Sequence, residues 1–254
     1  MKSDIIYRDG DFVEADHASQ GPFVHRFIRT AGHKPIFLGA HLDLLAQAAE
    51  AIFGLVRTID ERECSQAIAS LLRRNACAEH FSHVVMVRIY ADGILEILFH
   101  ETSLYDRMSM RMIQPKAISL LSHDTTFTYP SSATIATTTL HRAYAAGRGA
   151  DVVVAISKAG EVLSIDGAPA AIIRNRAVTF STQAFAEPEY EAIIEAATAQ
   201  KRTIECRIIH AEELLQADEI FYIDHRGVTG LAQYDSRQYL TFSTESIARA
   251  IKHR

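Results

Sequence analysis

The sequence predicts an α+β protein of two lobes, about 1–121 and 133–254, joined by a linker at 122–132. Three observations predict it. Short apolar runs are separated by Asp-Gly, Ala-Gly and Asn turns, as hairpins require. Between them lie longer runs with apolar residues at helical period. The pattern then halts at Thr125–Ser132, "TTFTYPSS", a crowd of hydroxyls with no lysine or carboxylate, and restarts beyond it.

The first run, "DIIYRDGDFVEAD", turns at Asp9-Gly10, and a second hairpin goes from "GPFVHRFIRT" to "KPIFL" across Ala31-Gly32. In "HLDLLAQAAEAIFGLV", Leu45, Ala49, Ile52, Phe53 and Val56 fall at i, i+4, i+7, i+8 and i+11, so one side of a helix is apolar and packs on the sheet. "DERECSQAIASLLRRN" is a second helix whose leading carboxylates suit a helix N-terminus. "HVVMVRIY" and "ILEILFH" flank Asp92-Gly93 and form a third hairpin. A strand at "KAISLLSH" closes the first lobe.

In the second half, "IATTTLHRAYAAG" is a helix ending at Gly147, and "DVVVAISKAGEVLSI" holds two strands around Ala159-Gly160. "AAIIRNRAVTFS" turns at Asn175. "EPEYEAIIEAATAQK" is a helix with Pro188 tolerated in its first turn. A strand "TIECRII", a short helix "HAEELLQ" and a buried strand "DEIFYI" follow. The terminal helix "STESIARAIKHR" has Ser243 or Thr244 as its cap.

Composition excludes several classes. With 48% apolar and 22% charged residues the chain has material for a full core. A net charge of −5 without basic blocks gives no pull toward nucleic acid. No apolar run approaches the ~20 residues that span a bilayer, and the first residues lack the apolar stretch of a signal peptide. A cytoplasmic protein with no nucleic-acid or membrane partner is expected. Cys64, Cys77 and Cys206 suit reduced thiols, and Cys206, alternating with Ile204 and Ile208, is expected to be buried or a packing residue. Twelve histidines raise a metal site, of which His80 and His83 are the nearest pair, but no ligand motif supports one, and none is expected.

The order of elements, together with "LLQADEIFYIDHRGVTGLAQYD", resembles the fold-type IV pyridoxal-phosphate enzymes: branched-chain and D-amino-acid aminotransferases and aminodeoxychorismate lyase. Leu214, Ala217, Asp218, Glu219 and Phe221 match the family's "L..ADE.F" strand. Weaker matches are "FLGAHLDLL", "VHRFIRT" and "HRAYAAGRGADVVVAISKAG". The resemblance implies a two-lobed fold with a ligand cleft between lobes and a homodimer.

It also implies a cofactor lysine at Thr128–Ser132, where this chain has "TYPSS". Lys116 and Lys158 are the lysines nearby in sequence, and neither matches the pattern. The arginine of the family's "H-L-x-R-L" pattern falls on Leu44, and its phosphate-binding "G-I-T-R" falls on Glu187–Tyr190, where carboxylates disfavour an anion. The acid that serves the pyridine nitrogen falls on Ser164, with Asp166 reached only by a register slip. Every charged grip specific to the cofactor has changed while the scaffold pattern stays, so no cofactor is expected.

Candidate ligand residues remain. Arg88 falls where family members aim a strand arginine at the substrate carboxylate, which a guanidinium can grip through two parallel bonds; the alternative is an ordinary surface arginine. Arg29 ends the early strand, and Tyr90 alternates with Arg88 on one face. His225 and Arg226 sit in the turn that meets the phosphate in relatives, with Thr229 beside them; the alternative is a loop paired with Asp224. Among the linker hydroxyls, Ser131 is either a ligand contact or a local backbone partner.

Three functions compete: an enzyme without pyridoxal phosphate acting on a small carboxylate-bearing molecule, a non-catalytic homodimeric binding or assembly protein, and an active aminotransferase or lyase with a relocated lysine.

Overall fold

The computed structural model describes residues 4–103, 114–122, 129–182 and 187–251. They form two compact units: 4–103 with 129–135, and 114–122 with 136–182 and 187–251.

The first unit is a six-stranded antiparallel sheet covered on one face by two helices. Its strands are β1 (Ile5–Arg8), β2 (Asp11–Glu14), β3 (Phe23–Ala31), β4 (Lys34–Pro35), β5 (Ser82–Tyr90) and β6 (Leu95–Ser103), in the order β2-β1-β6-β5-β3-β4. The Asp9-Gly10 turn takes positive φ at both positions, 41° and 107°, matching the right-handed twist of the strands it joins. Helices α1 (Leu38–Phe53) and α2 (Glu61–Arg74) bury Leu42, Leu45, Ala49, Ile68 and Leu71 against Val24, Ile28, Val85, Val87 and Ile97. The apolar stripe stops earlier than the sequence pattern implies: Gly54 turns left-handed (φ 70°), its N–H bonds to Glu50 O, and Val56 lies outside the helix, 85% exposed. Leu44, at the family's arginine position, is half-buried.

The second unit has two five-stranded sheets. One orders β12 (Thr203–Cys206), β11 (Ala177–Phe180), β10 (Ala170–Arg174), β13 (Glu219–Asp224) and β14 (Gly227–Gly230). The other orders β16 (Arg237–Gln238), β15 (Gln233–Tyr234), β7 (Lys116–Leu121), β8 (Val152–Ile156) and β9 (Val162–Ile165). Val154, Val162, Ile165, Ile172, Leu214, Ile220 and Tyr222 belong to one buried core. Helix α3 (Ser132–Ala146), which belongs to this unit from residue 136 on, contributes Ala145 to a smaller cluster with Val153 and Ala155; α4 (Pro188–Ala199), the short α5 (Ala211–Leu214) and α6 (Phe242–Ala250) complete the unit.

Several expectations are corrected. Strand β7 belongs to the second unit, because it pairs in parallel with β8 and with β15. Residues 129–135 belong to the first, where Pro130 O accepts from His25 N and Ser131 bridges Val24. Cys206 is exposed, because β12 is an edge strand with one neighbour; Cys64 and Cys77 are buried, and all three thiols are free. Neither Ser243 nor Thr244 caps α6 with its side chain. Instead the buried carboxylate of Glu219 accepts from both their backbone N–H groups, at 2.7 and 2.8 Å. No helix among the described residues is long and apolar enough to cross a membrane.

Candidate functional site

Strand alternation sorts the first sheet into two faces. Val24, Ile28, Val87, Ile89, Leu95 and Ile97 point into the helix-covered core. Phe23, His25, Arg29, Arg88, Tyr90 and Glu96 therefore lie on the opposite face, with Phe23 paired to Tyr90, His25 to Arg88, and Arg88 to Glu96.

Glu96 organises this face. Its carboxylate is fully buried, and Arg88 donates to Oε2 from Nε at 3.0 Å and from Nη2 at 2.7 Å. Arg8 donates to Oε1 from Nε at 2.9 Å and Nη2 at 2.8 Å, and Ser19 N adds a third bond at 2.8 Å. Burial alone would raise the Glu96 pKa, but the Ser19 N–H and the two guanidiniums outweigh it and hold it below its ordinary value. Arg88 also lies 5.1 Å from the Phe23 ring and 5.0 Å from the Tyr90 ring, within cation–π range. The Tyr90 hydroxyl donates to Ser19 O at 2.7 Å, and burial above all pushes its pKa up to about 12.

The other candidates of this unit are distributed along β3. Arg29 is four residues beyond His25, hence ~13 Å along the strand from the row that holds Arg88. It is 1% exposed and donates from Nη2 to Ser103 Oγ at 3.0 Å. Ser131, beside Val24, exchanges local bonds with Thr134, while its buried Oγ has no hydrogen-bond partner among the described residues. Thr128 lies outside the described residues. His83 uses both ring nitrogens, on Thr102 Oγ1 and Ala78 O, and His80 stacks on Phe81.

In the second unit the charged residues form another cluster. Asp166 occupies the turn between β9 and β10 at φ 51°, with its side chain 2% exposed. Arg142 of α3 grips both its oxygens, and Arg226 donates to Oδ2 at 2.7 Å. Asp224 accepts from Arg226 N and Nε, each at 2.8 Å, and again from Nη2. Burial would raise the Asp224 pKa, yet the charges of Arg226 and His225 bring it down to about 2, and the carboxylates in turn raise that of Arg226. His225 and Arg226 are thus the loop of a tight hairpin closed by Asp224 and Gly227. Thr229 is fully buried in β14, opposite Tyr222.

At the start of α4, Glu187 occupies the N-cap position without a side-chain cap bond, Glu189 is buried, and Tyr190 is fully buried. The Tyr190 hydroxyl donates to Pro169 O and accepts from Ile223 N. Lys116 and Lys158 are both exposed, one at the start of β7 and one in the β8–β9 turn.

Sequence reasoning missed Arg8, Glu96 and Arg142. The first two had a signal: Arg88 and Glu96 lie equally far from Asp92 in the hairpin, and Arg8 pairs with Glu96 one strand further on. Arg142 and Asp166 are 24 residues apart with no repeating pattern to join them.

No protein-family model and no curated protein sequence matches the chain. Solved structures match along nearly its whole length. A branched-chain aminotransferase from the archaeon Thermoproteus uzoniensis, solved with norvaline, superposes with a TM-score of 0.80 at 17% identity, covering 97% of this chain and 93% of that one. A fold IV transaminase from Curtobacterium pusillum gives 0.77 at 20% identity, covering 96% and 94%. A hypothetical aminotransferase from Mycobacterium tuberculosis in its PLP-bound form gives 0.79 at 14% identity, covering 97% and 98%. At these identities the likeness is one of architecture: the chain has the fold of the fold-type IV aminotransferases.

Proposed function

We propose that this chain binds a small carboxylate-bearing molecule at Arg88, on the sheet face opposite the helices, and does so without pyridoxal phosphate. One observation carries the reading. Two guanidiniums, Arg8 and Arg88, share the single carboxylate of Glu96, which leaves a formal surplus of one positive charge in a largely buried setting. Arg88 spends Nε and Nη2 on Glu96, and its Nη1 has no partner among the described residues. An incoming carboxylate matches that donor and that charge, and the Phe23 and Tyr90 rings flank it.

The residues present do not fit pyridoxal phosphate. Positions 129–132 offer no amine, and the exposed Lys116 and Lys158 stand on a strand start and a turn. At α4, where relatives offer free backbone donors to the phosphate, the first turn carries Glu189 and Glu191 and the buried ring of Tyr190. Arg226 is engaged by Asp224 and Asp166.

The binding reading is favoured over turnover by the state of Tyr90. Its hydroxyl donates to Ser19 O and burial pushes its pKa up to about 12, so this phenol is poorly poised as an acid or base at neutral pH, and the Glu96 carboxylate beside Arg88 is held by Arg8, Arg88 and Ser19. The test is a thermal-shift and calorimetric screen of small amino, keto and aromatic acids on the wild type, Arg88→Lys and Arg88→Ala. A ligand bound by the wild type and weakened in both variants supports the reading; Arg88→Lys keeps the charge but loses the two-pronged geometry. Equal binding by all three proteins, or none by any, rejects it. Analysis of the ligand after incubation separates binding from turnover.

A further inference from the structure

We propose that the cavity beside α2 in the first unit binds a small primary amine with a short apolar tail. It is distinct from the Arg88 site, because Leu95 and Ile97 line it from the helix side of the sheet, whereas Glu96 and Arg88 lie on the other face.

The cavity opens between β1, the segment 57–60 and the first turn of α2, and measures about 160 Å³. That is close to the ~150 Å³ of an engineered cavity known to take up benzene, so it holds on the order of six non-hydrogen atoms. Its floor is apolar: Cys64, Leu95 and Ile97 are all buried, and the Tyr7 ring forms one wall. The Cys64 thiol, pushed up to about 12 by burial first and by Glu63 and Glu61 second, stays protonated and serves as floor, not as nucleophile.

The charges select the ligand. Arg57 is matched at the rim, where its Nη2 donates to Asp9 Oδ1 at 2.6 Å and its Nη1 to Gly93 O. Asp60 and Glu63 then leave a formal surplus of two negative charges. Asp60 uses Oδ1 to accept the Glu63 N–H at 2.7 Å, and Glu63 uses Oε1 to accept the Tyr7 hydroxyl at 3.1 Å. Asp60 Oδ2 and Glu63 Oε2 have no partner among the described residues, so each presents an acceptor. An ammonium supplies three donors and a positive charge for these oxygens, and the Tyr7 ring adds a cation–π surface. A carboxylate is repelled by the same pair, and an alcohol gains no charge-assisted bond.

The test titrates isopentylamine, with isovalerate and 3-methylbutanol as controls, into the whole chain at neutral pH while the Leu95 and Ile97 methyl resonances are followed by NMR. The expected result is a saturable shift of those methyls by the amine, no saturable shift of them by the acid, and about tenfold weaker affinity for the alcohol and for the amine in Glu63→Gln. Cys64→Leu, which fills the floor, abolishes the amine shift while methyls elsewhere keep the wild-type spectrum. Absence of a saturable amine shift, alcohol binding as tight as amine binding, or undiminished binding in Glu63→Gln overturns the proposal.

Discussion

Arg142 meets Asp166 through two parallel hydrogen bonds, Nε to Oδ1 at 2.8 Å and Nη2 to Oδ2 at 2.9 Å, and so ties helix α3 to the β9–β10 turn. Arg226 adds a third bond to the same carboxylate. Removing the charge leaves Arg142 without a carboxylate and Arg226 with Asp224 alone, but Arg142 is 47% exposed and recovers water. Asp166→Asn is therefore expected to cost about 2–3 kcal/mol, below the range for a fully buried pair. Arg142→Gln costs less, because Arg226 still satisfies Asp166. Urea unfolding of both variants checks the order.

Glu219 caps α6 from a distant strand. The N–H groups of Ser243 and Thr244 are first-turn donors that no preceding turn can satisfy, and the Glu219 carboxylate takes both, favoured further by the helix dipole. Glu219→Ala should destabilise the chain by about 1–3 kcal/mol, whereas Ser243→Ala, which removes no capping bond, should change it by less than ~0.5 kcal/mol. Hydrogen exchange at the Ser243 and Thr244 amides should accelerate in Glu219→Ala before the rest of α6 is affected. Equal protection in mutant and wild type would show that the cap contributes nothing.

Two turn glycines are expected to respond differently to alanine. Both have positive φ, 107° at Gly10 and 58° at Gly32. A Cβ on Gly10 meets nothing within 4 Å, while one on Gly32 lies 2.6 Å from the backbone oxygen of Glu79, which has no rotamer to yield. Gly10→Ala should cost about 1 kcal/mol through backbone strain alone, and Gly32→Ala clearly more. Comparable melting temperatures for the two would contradict this.

Stability should fall on acidification in two stages. Burial pushes the pKa values of His83 and His141 down, with His33 and His80 adding to the effect at His83 and Asp166 opposing it at His141. An unfolded imidazole takes up a proton near 6.5, while the folded ones resist it, so their contribution is complete above about pH 6.5 and declines as pH falls below that. The carboxylates of Glu96 and Asp224 are shifted below their ordinary values, Asp224 to about 2. Their contribution is present above their unfolded values and is lost as pH falls from about 4.5 toward 2. Urea midpoints from pH 8 to pH 2 should show both declines, and His83→Asn should flatten the first.

Local structure was legible in the sequence wherever a turn carried its own signal. The Asp9-Gly10 and Asp92-Gly93 hairpins and the Asn175 turn, with φ 55°, depend on residues within a few positions of one another. What depended on distant pairing was not legible. Strand β7 reads like any half-buried strand, and only its parallel partners β8 and β15, the latter more than a hundred residues away, assign it to the second unit. Cys206 alternates correctly but lies at an edge, a fact of sheet order. The same holds for the sites. The Arg88–Glu96 pair follows from hairpin register, while the Asp166 cluster joins residues 24 and 60 positions apart.

Whether this scaffold operates without pyridoxal phosphate is open to direct measurement. The most direct measurement is an absorbance titration of the purified chain with pyridoxal phosphate, followed by borohydride reduction and peptide mapping. No saturable imine band and no stoichiometric label on any lysine, Lys116 and Lys158 included, are expected. A one-to-one imine that reduces onto a single lysine, and disappears when that lysine is replaced, would contradict this.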